Sequence, residues 1–244
     1  MRSSKYLGHF IIIFGWTVLY FSIKGLRKLN SQRIARLQLR DNVKQAQLNT
    51  LKGHINPQFM FTTLNNIKGL MLEDVPQSRE MLTKLSEMLR YSLTKNNVNA
   101  ISLEDELEMV MHYIDLSKIQ YGDRLSFSSK INGDSRSITI PPMLILNLIE
   151  NATKNGVFQL QHGGGVQLSI MPSDGFLALS VTHSQNQLKN KSYDFEIQKI
   201  KQRLRLLFKE NAIFRMETEE DHTVIRIVLP IVKRTNEEIY PKIA

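Results

Sequence analysis

Residues 140–156 read IPPMLILNLIENATKNG. Paired prolines precede a long apolar run, and a polar stretch ends at Gly156. Proline suits a helix start, where its missing N–H would have no intrahelical partner. Around this helix the pattern changes to short alternating runs. LSFSSKI (125–131), VQLSIM (166–171), FLALSVTH (176–183), AIFRMETE (212–219) and HTVIRIVLP (222–230) read as strands. DFEIQKIKQRLRLLFKE (194–210) reads as a second helix. Strands interleaved with helices, and hairpins between strands, predict an α+β fold with a two-layer α/β sandwich over residues 123–233. Gly163-Gly164-Gly165 reads as a flexible loop before VQLSIM, because no Gly-Lys-Ser/Thr follows it.

Upstream the period is helical. Ser102-Leu103-Glu104-Asp105 opens a helix, with Ser102 as N-cap and acids in the first turn, running to about Tyr121 and ending at Gly122. SREMLTKLSEMLRYSLTK repeats apolar residues at Met81, Leu82, Leu85, Met88, Leu89 and Leu93. Val75–Ser78 reads as a turn before it, and Pro57 marks a kink or a fresh helix start. Two amphipathic helices make a hairpin, and two hairpins make a four-helix bundle, so residues 51–122 read as a helical dimerisation region.

Tyr6–Ile23 is about 18 nearly unbroken apolar residues, roughly 27 Å as a helix. Lys24, Arg27, Lys28, Arg33, Arg36 and Arg40 follow, with no small-residue cleavage site. Residues 1–23 read as an uncleaved transmembrane anchor, with the rest of the chain in the cytoplasm by the positive-inside rule. Residues 24–50 read as a juxtamembrane linker helix and 234–244 as a tail. The net charge is +9, and it clusters beside the anchor without a nucleic-acid-binding motif, so nucleic acid is not expected as a partner. The absence of cysteine excludes disulfides, thiolate metal sites and cysteine nucleophiles.

Several separated strings carry a family resemblance. LKGHINPQFMFTTLNN (51–66) resembles the phosphoacceptor pattern Q-I-N-P-H-F-L-F-N-x-L-N of the LytS/YehU-type sensor histidine kinases. LSEMLRYSL (85–93) resembles their L-S-x-L-L-R-Y-S-L, and Ile140-Pro141-Pro142 with LIENATKNG resembles I-P-P…E-N-A-x-K-H-G. The resemblance implies a C-terminal ATPase domain of the histidine-kinase, gyrase, Hsp90 and MutL type. It implies that Asn151 ligates magnesium, Glu150 polarises the reacting group and Lys154 touches phosphate. Mg-ATP would be the cofactor of an active enzyme.

This chain departs from the pattern at three places. The acceptor histidine falls at Gln58, whose carboxamide lacks the free ring nitrogen of a neutral imidazole. The glycine-rich D-x-G-x-G element falls at Thr182–Gln187, around His183, with neither the aspartate nor the glycines. The second glycine element falls at Asp194, Glu196, Ile197 and Lys199, which sets carboxylates where backbone N–H groups should approach phosphate. The expected reading is a membrane-anchored, single-pass two-component signalling protein that is a pseudokinase, with no cofactor. Its expected partners are a second copy or a related kinase, a response regulator of the LytTR type, and the membrane. Two alternatives stay open: an active kinase whose acceptor has shifted to His54, one helical turn before Gln58, and a lipid-binding scaffold.

Overall fold

The structure is a computed structural model that describes Trp16, Lys24, residues 56–95, 98, 100–133, 138–173, 175–185, 191–219 and 221–233. The chain divides into two units, Met1–Gln47 and Leu48–Ala244, and every element below belongs to the second. The anchor reading of residues 1–23, the linker reading of 24–50, the tail and His54 lie outside the described residues. Among the described residues no helix is long and apolar enough to cross a membrane.

Helix α1 (Pro57–Leu70) starts afresh at Pro57, and the Asn56 side chain caps it by accepting from the Gln58 N–H at 2.9 Å. Helix α2 (Val75–Lys95) follows after a tight turn at 71–73. The turn expected at Val75–Ser78 is therefore the first turn of α2. Asp74 accounts for the difference: its carboxylate accepts from the Gln77 N–H at 2.9 Å, leaving Pro76 in a first turn that needs no N–H from it. Strand β1 (Ile101–Ser102) leads into α3 (Leu103–Tyr121), where Ser102 accepts from the Asp105 N–H and Gly122 closes the helix at φ 55°.

Strands β2 (Leu125–Ile131), β4 (Gly164–Ser173), β5 (Phe176–Ser184), β6 (Ile213–Thr218) and β7 (His222–Pro230) form one sheet in the order β2-β4-β5-β7-β6. β2 runs parallel to β4 and the other pairs are antiparallel. β3 (Ile138–Ile140) joins β1 and β8 (Val232–Lys233) in a small antiparallel sheet. Along β4, β5 and β7 buried residues alternate with more open ones, so one face of the large sheet is covered.

Helix α4 (Leu144–Asn155) packs against β5, α3 and α5 (Lys191–Phe208). Leu144, Ile145, Leu146, Leu148, Ile149 and Ala152 are each at most 1% exposed. That explains the apolar run, interrupted only at Asn147: a helix buried on nearly every side needs little polar face. The sandwich is thus two layers, the sheet and its helices.

Two expectations change. Gly164 and Gly165 belong to β4, paired with Leu125 and Ser126, rather than to a flexible loop. A Cβ on Gly164 would lie 2.6 Å from the Ser184 Cβ, so close strand packing explains the glycine. The α2 stripe also divides. Met81, Leu85 and Met88 are buried, while Leu82 and Leu93 are exposed at 49% and 75%. Leu85 belongs to the protomer's own core because α3 packs on that face of α2, where Lys84 reaches Asp115 at 2.6 Å.

Candidate functional site

The centre of the site is the polar end of α4. Asn151 is 1% exposed. Its Nδ2 donates to Glu196 Oε2 at 2.8 Å, and Lys154 Nζ donates to Glu196 Oε1 at 3.2 Å. One carboxylate from α5 therefore holds both α4 side chains that the family pattern assigns to magnesium and phosphate. Positions 194 and 196 lie within α5, not in a glycine turn. By residue 196 the backbone N–H is committed to the helix ladder and unavailable to an anion.

Glu150 is half-buried on the same helix. Burial, with the neighbouring Glu196 charge adding to it, pushes its carboxyl up to about 7, against the opposing pull of Lys154 and a hydrogen bond from Asn56. The folded state thus binds this proton more tightly than the unfolded chain does. The stabilisation is fully present below the usual glutamate range and is lost as pH rises through about 7. Wild type should be less stable in urea at pH 8 than at pH 5 by on the order of 2 kcal/mol more than Glu150→Gln, and equal pH slopes in both proteins would contradict the assignment.

His183, at the end of β5, is 1% exposed and its Nδ1 lies 3.0 Å from the Ser184 carbonyl. Burial pushes its pKa down, so the neutral ring is favoured. The ring packs against Gly156, where a Cβ would come within 2.8 Å of its Cε1. Gln185 accepts from Thr223 Oγ1 at 2.6 Å. A buried imidazole and sheet contacts thus stand at the strand end where the resemblance would set an aspartate.

Lys199 is exposed, and its ammonium sits 4.4 Å from the Phe195 ring centroid, along the surface of α5. The structure therefore brings Glu150, Asn151, Lys154 and Glu196 together, sets His183 on the neighbouring strand end, and leaves Lys199 apart. The Asp194 side chain lies outside the described residues.

Gln58, in the first turn of α1, is exposed. Phe59, also in that turn, packs on Tyr113 with centroids 4.7 Å apart. Tyr113 in turn shares a 2.6 Å hydrogen bond with Thr153 of α4. The start of α1 is thus linked to the polar end of α4 through Tyr113 of α3.

On the family pattern, a Mg-ATP complex would use Asn151 and Lys154. The Asn151 Oδ1 is buried without a hydrogen-bond partner, as a cation ligand would be. The opposite amide end and Lys154 are held by Glu196, however, and a triphosphate would meet that carboxylate. The residues present do not fit the nucleotide.

A family model described as histidine kinase matches residues 46–125. The sensor protein LytS of Oceanobacillus iheyensis is 25% identical over 237 residues, covering 85% of this chain. Both findings support the LytS-type histidine kinase family. The sensor histidine kinase/phosphatase LytS of Staphylococcus aureus is also 25% identical, over 210 residues and 80% of this chain. The chain spans only 39% and 36% of the length of those two relatives. Among solved structures, the Acinetobacter baumannii histidine kinase AdeS covers 71% of the chain, and the chain covers 94% of it, at 13% identity and a TM-score of 0.43, a likeness too slight to carry weight.

Proposed function

We propose that this chain is a two-component signalling protein that has lost phosphotransfer and works through contacts with other proteins. The observation that carries the reading is Glu196, whose carboxylate holds Asn151 and Lys154 where the family would bind Mg-ATP. Gln58 at the acceptor position adds an independent defect, and the filled region around His183 adds a third. Calorimetry with Mg-ATP on the purified chain tests it: no binding in the micromolar range is expected, and a micromolar Kd would overturn the reading.

The partners we propose are a second copy or a related kinase, and a response regulator. The exposed apolar residues Phe61, Leu64, Leu82 and Leu93 supply a face for bundle formation. Replacing Leu82 and Leu93 together with glutamate should convert the dimer to monomer in sedimentation, with the fold retained. Replacing Leu85, which is 4% exposed, should instead unfold the protomer. A Leu82/Leu93 variant that sediments as the wild-type dimer would remove this face from consideration.

Membrane anchoring through Tyr6–Ile23 is part of the same proposal and rests on that apolar run and its basic flank. A reporter fused after Ala244 should be active on the cytoplasmic side.

A further inference from the structure

Glu106 of α3 is gripped from two sides. Its Oε2 accepts from the Tyr91 hydroxyl of α2 and from the Met143 N–H at 2.8 Å, and its Oε1 accepts from the Leu146 N–H at 3.0 Å. Both Glu106 and Tyr91 are buried, so water does not compete for these bonds. Met143 holds φ 60° at this point, and no side chain of its own caps the start of α4. The start of α4 therefore takes its position from a carboxylate that α2 also holds.

Helix α4 carries that position to its other end. It is a 12-residue helix packed on nearly every side, so it shifts as a rod rather than bending. Its far end holds Asn151 and Lys154, which Glu196 of α5 bonds at 2.8 and 3.2 Å. Helix α5 also holds the near end, where Arg203 donates to the Pro142 carbonyl at 2.9 Å. Arg203 and Glu196 lie about 10 Å apart along α5. The two helices are thus fastened to each other at both ends.

We propose that Glu106 is a joint that couples the helical hairpin to the site closed by Glu196. Through Tyr91, a change in the position of α2 is passed to the start of α4, and α4 passes it to Asn151 and Lys154. Apolar packing between α2 and α3 has no preferred direction, whereas a buried carboxylate with three donors fixes direction as well as distance. Helix α2 also carries Leu82 and Leu93, so a second chain seated on that face would be felt at α4. Only that last step rests on the proposed dimer. The joint itself needs neither a dimer nor a nucleotide, so its failure and the failure of the proposed function are distinguishable.

Native-state hydrogen exchange of the purified 244-residue chain reads the coupling. Three sets of amides are followed: 85–92 on α2, 147–155 on α4 and 177–182 on β5. In the wild type, α2 and α4 should open as one unit, with the same protection to within about threefold. Tyr91→Phe keeps the ring and removes the one donor from α2. It should speed exchange on α2 roughly tenfold more than on α4 and β5. A bond that only adds stability would speed all three sets by one factor, and that result, or unchanged exchange on α2, would overturn the joint. Lys84→Gln breaks another polar tie between α2 and α3, to Asp115 at 2.6 Å, without touching Glu106. It should leave α2 and α4 opening together. A separation as large as in Tyr91→Phe would assign the coupling to α2–α3 packing as a whole and contradict the proposal.

Discussion

Replacing Glu196 with glutamine is expected to strengthen Mg-ATP binding by roughly 10- to 100-fold over the wild-type chain. In the wild type, the Glu196 carboxylate accepts from Asn151 Nδ2 at 2.8 Å and from Lys154 Nζ at 3.2 Å. A nucleotide must break both bonds and then bring its own negative charge up to the displaced carboxylate. Glutamine keeps the size and helix propensity of the side chain but removes the charge, so the ammonium of Lys154 is released to phosphate. Lys154 and Glu196 are 40% and 35% exposed, and water screens their attraction, which keeps the expected gain modest for the removal of a charge. The gain should not restore tight binding, because His183 and the helical segment at Lys191–Phe208 are unchanged. Calorimetry on both proteins measures the difference. Equal affinity in wild type and Glu196→Gln would mean that this carboxylate does not close the site.

Glu106→Ala is expected to cost about 3–5 kcal/mol of stability. Glu106 is fully buried on α3 and accepts hydrogen bonds from the Met143 N–H at 2.8 Å, the Leu146 N–H at 3.0 Å and the Tyr91 hydroxyl. Those amides belong to the start of α4, whose own residues supply no side-chain cap. Met143 there takes φ 60°, a left-handed conformation that a methionine adopts only when its surroundings hold it. Arg203 of α5 donates to the Pro142 carbonyl at 2.9 Å and completes the brace. Burial pushes the Glu106 carboxyl up, while its hydrogen bonds and Arg203 pull it down. Alanine would leave two buried amides and a tyrosine hydroxyl short of a partner. Urea unfolding of wild type and Glu106→Ala reads the cost, and a loss under about 1 kcal/mol would show that the brace contributes little. Tyr91→Phe should cost only about 1–2 kcal/mol, since it removes one donor and leaves the carboxylate two others.

The large sheet was legible because its strands obey one rule. HTVIRIVLP alternates inward and outward residues, and it forms β7 over the residues read from the sequence. β1, β3 and β8 are two or three residues long, too short for any period to declare itself. The start of α2 was misplaced because Val75-Pro76-Gln77-Ser78 carries turn residues, and only the Asp74 cap shows that the proline opens a helix.

At the site, motif spacing identified Asn151, Lys154 and Glu196 as members of one neighbourhood. It did not reveal that Glu196 bonds the other two, since a count along the chain gives position and not direction. Glu106 and Tyr91 were missed for a related reason. Each is a polar side chain that joins elements distant in sequence, and no local pattern marks such a pair.

The most direct test of lost phosphotransfer is incubation of the purified chain and of His54→Ala with Mg-ATP labelled at the γ-phosphate. Neither protein is expected to acquire acid-labile label, because Gln58 offers no imidazole and Glu196 holds the residues that would bind the nucleotide. Acid-labile label on the wild type that disappears in His54→Ala would contradict the account and establish a working kinase with a shifted acceptor.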